Sequence, residues 1–267
     1  VFVRTKDWVA RWGAAGTPGR FQLLVDGQPL AATFGTQGAE WSWHDGGSAE
    51  IEGPEVALAL KDLTGFEGRC DAVLLSDEAG FVPPNESAAL AALRRALGGL
   101  PETPDEKGEF DLVVVGGGMA GCCSAVSAAR LGLSVALIQN RHILGGNSSS
   151  EIRVWINGRY QLPPYPVIGE IVADMYTRPH ASPGRAEEFG DDRKMRVVTA
   201  EKNLRLVLGE HVDRVEMQGN RIAAVESVNT RNGRRARYVG RYVADCTGDG
   251  AVGYLAGADY AVTTRRH

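Results

Sequence analysis

The sequence has no apolar run approaching the ~20 residues that span a bilayer, and it opens without the pattern of a secretory signal peptide. Neither a membrane span nor a targeting segment is expected, and the location is left open between cytoplasmic and exported. Lys/Arg blocks are missing as well. With a formal net charge of −4, nothing resembles the basic patch that nucleic acid or an anionic surface requires. The one small basic group, Arg234, Arg235 and Arg237, adjoins Asn232-Gly233 and reads as a solvated hairpin turn. Cysteine is scarce. Cys70, Cys122, Cys123 and Cys246 form no Cys-x-x-Cys and no Cys/His cluster, so a metal site is not expected. The adjacent pair Cys122-Cys123 reads as a redox couple or as small packing residues on a buried helix, and the second is favoured.

With 267 residues there is chain enough for two domains. Residues 1–84 carry short β-like runs, Phe21–Val25, Val56–Leu60 and Ala72–Leu75, separated by turn signals such as Asp26-Gly27. Strands so spaced predict a partial all-β sandwich. Four of the five tryptophans fall here, Trp8, Trp12, Trp41 and Trp43. They could stack on sugar rings, though filling the core between sheets is the simpler reading. Residues 85–109 read as a helix and linker. Asn85 is the expected N-cap, Leu90, Leu93 and Leu97 share one face, and Pro101 to Gly108 is polar and proline-bearing.

From residue 110 the character changes. Asp111–Val115 is a β-branched run suited to a strand buried on both faces. It enters Gly116-Gly117-Gly118-Met119-Ala120-Gly121, a Gly-x-Gly-x-x-Gly turn with a strand before it and a helix, Ala120 to Leu131, after it. In such a turn Gly116 permits the bend, Gly118 lets the backbone approach a pyrophosphate, and Gly121 lets helix pack on strand. The helix amino end, with Met119 and Ala120, offers free N–H groups to phosphate. Ser134–Ile138 is the next parallel strand. Where Glu or Asp usually binds the ribose, about twenty residues past the turn, stands Gln139, followed by Asn140 and Arg141. An amide oxygen accepts a hydroxyl without charge assistance.

Two further segments complete a pattern: Leu144-Gly145-Gly146-Asn147-Ser148-Ser149-Ser150, and Ala244-Asp245-Cys246-Thr247-Gly248-Asp249-Gly250. Between them a β-rich stretch runs from Leu204 through Ile222 to Val228. In order and spacing, Phe110 to the end resembles the FAD-dependent oxidoreductases of the glutathione-reductase-like two-dinucleotide fold, related to fumarate-reductase and heterodisulfide-reductase flavoproteins. The run Gly145 to Trp155 resembles a bacterial branch carrying an extra β-sandwich, and Asp62 to Asp71 resembles the end of a galactose-binding-like module. The resemblance implies FAD as cofactor, held by the turn glycines, Gln139, Asn140, Arg141, Gly145, Gly146, Asn147, Ser148, Thr247, Gly248 and Asp249, with the Val212 backbone at adenine.

It implies hydride transfer at the flavin on a small-molecule substrate, which the tryptophan-rich half suggests is carbohydrate-related. The other reading is a carbohydrate-binding module fused to a non-catalytic FAD domain. Disulfide-reductase chemistry is rejected, because no cysteine follows Gly145-Gly146 in the stretch Asn147 to Arg153. His142 reads as a loop histidine rather than a flavin tether. Arg153 binds a pyrophosphate or a carboxylate, or pairs with Glu151. No acid–base residue stands out. The expected class is therefore α/β, an incomplete Rossmann-like FAD-binding domain at 110–267 after a partial sandwich. Strand-like ends at Val1-Phe2-Val3 and Tyr260-Ala261-Val262 suggest a segment of a longer protein, inactive alone.

Overall fold

The computed structural model describes all residues except 11–12, 14–17, 66, 160, 178–183 and 262–267. The chain divides into two compact units, Val1–Leu97 and Gly98–His267.

The first unit holds β1 (Phe2–Thr5), β2 (Phe21–Val25), β3 (Gln28–Pro29), β4 (Ser42–Asp45), β5 (Leu58–Asp62) and β6 (Cys70–Leu74). They form two antiparallel three-stranded sheets, ordered β4-β1-β6 and β3-β2-β5. In β2 burial alternates, so Phe21, Leu23 and Val25 point one way and join Val3, Leu30 and Phe34 in one cluster. The tight turn between β2 and β3 places both Asp26 (φ 48°) and Gly27 (φ 79°) left-handed, as a two-residue hairpin demands.

Among the described residues no tryptophan joins this core. Trp8, Trp41 and Trp43 are half-buried, and cations lie over two of the rings: Arg4 and Lys6 over Trp41, Arg69 over Trp8. Trp12 lies outside the described residues, as does Phe66 of the Asp62–Asp71 stretch.

Helix α1 (Ser87–Leu97) belongs to this unit, and its cap differs from expectation. Glu86, not Asn85, accepts the N–H groups of Ala88 and Ala89, which hold its carboxyl below the usual range. Asn85 is spent elsewhere, accepting from the Trp43 backbone N–H at 3.2 Å.

The second unit is built on a six-stranded sheet, β10-β11-β12-β7-β8-β9. Its strands are β7 (Asp105–Val115), β8 (Val135–Gln139), β9 (Leu204–Leu208), β10 (Glu210–Gln218), β11 (Arg221–Asn229) and β12 (Arg235–Asp245). β12, β7, β8 and β9 run parallel; β10 to β12 form an antiparallel meander. Alternation along β7 puts Val114 in one core with Cys122, Ala125 and Val126 of α2 (Met119–Arg130). Val113 and Val115 enter a second core with Ile138, Val212 and Tyr238. Burying each of these valines contributes roughly 1.5–3 kcal/mol.

The linker reading fails for its second half. Residues 105–109 are strand, paired with β12 and bulged where Glu106 and Glu109 oppose Arg237 and Val239. Gly108 (φ 105°) takes up the bulge. Arg237 bridges Glu106 at 3.1 Å and Glu216 at 2.6 Å, Arg235 meets Asp213 and Glu226, and Arg234 reaches Asp105. The basic cluster is thus one side of an ion-pair ladder across the sheet rather than only a solvated turn. Two more helices, α3 (Glu170–Met175) and α4 (Asp191–Thr199), pack on the α2 side, and α5 (Ala251–Leu255) follows β12. Tyr260 and Ala261 lie in no strand, and Val262 lies outside the described residues.

Candidate functional site

Parallel strands in an open α/β sheet aim their carboxyl ends at a crevice where ligands bind. Here β7, β8 and β12 end together, and three glycine-bearing loops follow them. Each glycine of the first loop has its own reason. A Cβ on Gly121 would lie 1.8 Å from the Gly116 carbonyl oxygen, and one on Gly116 (φ 103°) 2.4 Å from that of Cys246. Gly117 is closed too, by Leu144 and Gln139 at 2.8 and 2.9 Å. Gly118 alone of the four is open, its Cβ meeting only Gly146 Cα at 4.0 Å.

The second loop leans on the first. Gly145 N–H donates to Gly117 O at 2.8 Å, and Gly118 and Gly145 form a parallel bridge. Gln139 clips the two loops. Its Oε1 accepts from Gly117 N–H at 2.9 Å while its Nε2 donates to Ile143 O at 3.1 Å. Buried at 4% exposure, this amide spends its donor on backbone, a role that the ribose reading of the sequence did not include. Behind Gly145 lies Lys194, whose side chain is 1% exposed. Its ammonium donates to Phe189 O and faces Asp191 at 3.9 Å. Burial pulls its pKa down, with Asp191 opposing. Asp191 also accepts from Ser150 N–H at 3.1 Å.

The third loop is organised by Asp245. One oxygen accepts from Thr247 N–H (3.0 Å) and Oγ1 (2.6 Å), the other from Gly253 N–H (2.9 Å). Burial pushes this carboxyl up, yet the Thr247 hydroxyl and the backbone donors hold it below the usual range. Asp249 is exposed.

The loops enclose a cleft of about 830 Å³, within the size range of cofactor sites. Gly116, Gly118, Met119, Ala120, Gln139, Asn140, Arg141, Gly145, Gly146, Asn147, Ser148, Val212, Thr247, Gly248 and Asp249 all line it. Gly121 does not; it packs beneath the turn. Val154, Trp155, Ile156, Glu210 and His211 also line the cleft, and sequence reasoning did not single them out as site residues. Nor did it find Asp245 or Lys194. The spacing Asp-x-Thr, typical of a side chain capping its own turn, was the available signal for Asp245.

Glu151 pairs with Arg141 at 2.7 Å, so the Arg153–Glu151 pairing does not form; Arg153 (φ 63°) instead donates to Ser150 O. His142 is exposed, and its ring lies 2.8 Å from where a Cβ on Gly209 would stand. Cys122 is wholly buried and donates to Gly117 O. Burial, with Cys123 nearby, pushes its thiol up to about 12. That is a packing residue, as expected. Among the described residues no group of His, Cys, Asp and Glu could hold a metal ion.

Fold and cleft together define a dinucleotide-binding α/β protein. More narrowly, the chain belongs to the FAD dependent oxidoreductase family, whose model matches residues 111–267, and its cofactor is FAD. A mitochondrial glycerol-3-phosphate dehydrogenase of Mus musculus is 28% identical over 132 residues, which is 49% of this chain and 14% of that protein. Among solved structures, THI4 of Thermovibrio ammonificans is 19% identical with a TM-score of 0.42, over 64% of this chain and 69% of the other. A 3-ketosteroid-delta4-(5alpha)-dehydrogenase from Rhodococcus jostii is 16% identical with a TM-score of 0.37, over 54% and 47%.

Proposed function

We propose that the cleft seats FAD with its pyrophosphate against the amino end of α2, and that the protein moves hydride between flavin and an organic substrate. Gly118 carries this reading. Among the turn glycines only its missing side chain leaves room toward the cleft rather than toward protein, which is what a backbone approached by pyrophosphate requires. The first-turn N–H groups of α2 have no partners within the helix and favour negative charge. Gly145, Gly146, Asn147, Ser148 and Asp249 line the same side of the proposal, toward the flavin. Asn140, Arg141 and Val212 take the adenosine end. Bound flavin supplies the two-electron chemistry; the chain positions it and excludes water.

For the substrate we propose a carbohydrate-related molecule, on the strength of the aromatic and cationic side chains of the first unit. Trp43 is the candidate sugar platform there, since the rings of Trp8 and Trp41 already carry cations. Reconstitution tests the cofactor reading. Mixed with FAD and desalted, the protein should retain flavin absorbance, whereas NAD should not be retained. A colourless product, or preference for NAD, overturns the proposal.

A further inference from the structure

Among the described residues that line the cleft, Arg141 is the only lysine or arginine, and the carboxylate residues Glu210 and Asp249 line it too. Arg141 is thus the one permanent positive charge that these lining side chains offer to a dianionic pyrophosphate. Where that charge stands decides how well it serves. Its side chain is 35% exposed, so burial does not fix its long stem. The backbone is held, the Arg141 carbonyl accepting from Gly209 N–H at 3.3 Å. The guanidinium has one partner among the described residues, Glu151, with Nη1 2.7 Å from Oε2.

The turn that carries Glu151 is fixed on both flanks. Arg153 N–H donates to Ser149 O at 2.8 Å and closes the chain around Glu151, while Arg153 Nε donates to Ser150 O at 3.0 Å. Ser149 Oγ donates to Gly146 O at 2.7 Å, and Ser150 N–H to Asp191 at 3.1 Å. Asp191 in turn faces the ammonium of Lys194, a side chain 1% exposed, at 3.9 Å. A buried ammonium is costly unless it is bonded, and here its carboxylate neighbour braces the turn. Contacts therefore run from a buried ion pair through Ser150 and Glu151 to Arg141 in the cleft.

Glu151 acts on a bound anion in two opposed ways. Its charge repels the anion, but across half-exposed groups that solvent and salt screen. Its pairing fixes in advance a side chain that otherwise loses its rotamer freedom on binding, an effect worth roughly two- to tenfold in affinity. We propose that the second effect wins, and that Glu151 is a positioning residue which holds the Arg141 guanidinium ready for the anionic part of FAD. The proposal rests on the FAD reading above and deepens it.

The test is a double-mutant cycle on the 267-residue chain, titrated calorimetrically with FAD. Glu151→Gln deletes the charge at nearly constant size, and Arg141→Met removes the guanidinium. Glu151→Gln should weaken FAD roughly two- to tenfold, although it takes a negative charge away from an anion site. In the Arg141→Met background the same change should cost nothing further, or raise affinity slightly, because only the repulsion is left to lose. A rise in FAD affinity, or no change, on Glu151→Gln in the otherwise wild-type chain overturns the proposal. So does an equal loss in both backgrounds, which is what a merely structural turn would give. Where melting shows Glu151→Gln unfolded, Glu151→Asp carries the same comparison, since it keeps the charge but withdraws it from Arg141; affinity equal to wild type refutes the proposal there. Wild-type protein that takes up no FAD overturns the cofactor reading and the positioning role with it, whereas FAD-binding wild type with an indifferent Glu151→Gln sinks the positioning role alone.

Discussion

Two substitutions three residues apart should have opposite consequences. At Gly118 the backbone has φ −67° and ψ 179°, which any residue adopts, and an added Cβ meets nothing nearer than 4.0 Å. Gly118→Ala therefore fits the folded protein. Replacing an N-cap glycine by alanine costs a few tenths of a kcal/mol to about 1, offset by the reduced freedom of the unfolded chain, so melting should move by no more than about 3 °C. On the proposed placement of FAD, the new methyl nonetheless stands where the pyrophosphate approaches. Losing even one charge-assisted hydrogen bond costs about 1.5–3 kcal/mol, or roughly 10- to 150-fold in FAD affinity.

At Gly121 the Cβ would overlap the Gly116 oxygen at 1.8 Å, which forces strand and helix apart and costs about 1–3 kcal/mol or more. Gly121→Ala should melt several degrees lower. Thermal melting and FAD titration on the two variants separate the effects. If Gly118→Ala binds FAD as wild type does, or if the two variants lose stability alike, the reasoning fails.

Two further outcomes are expected. Gln139→Glu would face a carboxylate oxygen toward Ile143 O where an N–H now donates; the lost bond and the opposed acceptors cost on the order of 2 kcal/mol, so the variant should melt lower at neutral pH despite restoring the acid usual at this position. A melting temperature equal to or above wild type refutes it. Asp245, whose folded carboxyl is held below its ordinary range, binds its proton less readily folded than unfolded. Its stabilisation is then present above about pH 4 and fades as pH falls through the folded value; the melting difference between wild type and Asp245→Asn should shrink on acidification, and a difference that stays constant down to pH 2 refutes the assignment.

Much of the second unit was legible because its signals are local. A β-branched run meeting a glycine turn gives strand and helix directly, and β7, α2 and β8 lie where that pattern puts them. What escaped was decided by partners distant in sequence. Residues 105–109 look like linker, yet pairing with β12 and the bridges from Arg234 and Arg237 make them strand. Asn85 is a good cap by type, but Trp43 claims its side chain and leaves Glu86 to cap α1. The described tryptophans show the same effect: their bulk suggests a core, yet Trp8, Trp41 and Trp43 are half-buried, with Arg4 and Lys6 over the Trp41 ring and Arg69 over that of Trp8. Lys194 gave no signal at all, since nothing in a polar helix marks which lysine will be enclosed. Trp155 was passed over for a similar reason, its stacking partner lying 34 positions away.

The glycines teach something that the motif alone does not. Gly116, Gly117, Gly121 and Gly145 are closed by protein atoms, in part by one another's loops: Cys246 O stands over Gly116, Gly116 O over Gly121, and Lys194 against Gly145. Cys246 N–H in turn donates to Val115 O, and Gly145 N–H to Gly117 O. Three loops drawn from widely separated parts of the chain thus hold each other through backbone contacts too close for a side chain. The arrangement explains why order and spacing of the motifs, rather than any single glycine pair, carried the assignment. A lone Gly-Gly turn is satisfied by its own φ, but Gly116, Gly117 and Gly145 are also closed by atoms of other segments, and Gly121 by the oxygen of Gly116. It follows that the cleft is preorganised by the completion of the sheet: β12 must pair with β7 before Cys246 can close over Gly116. Ligand then has little backbone left to order, and on the proposed placement of FAD Gly118 is the one turn glycine left to it.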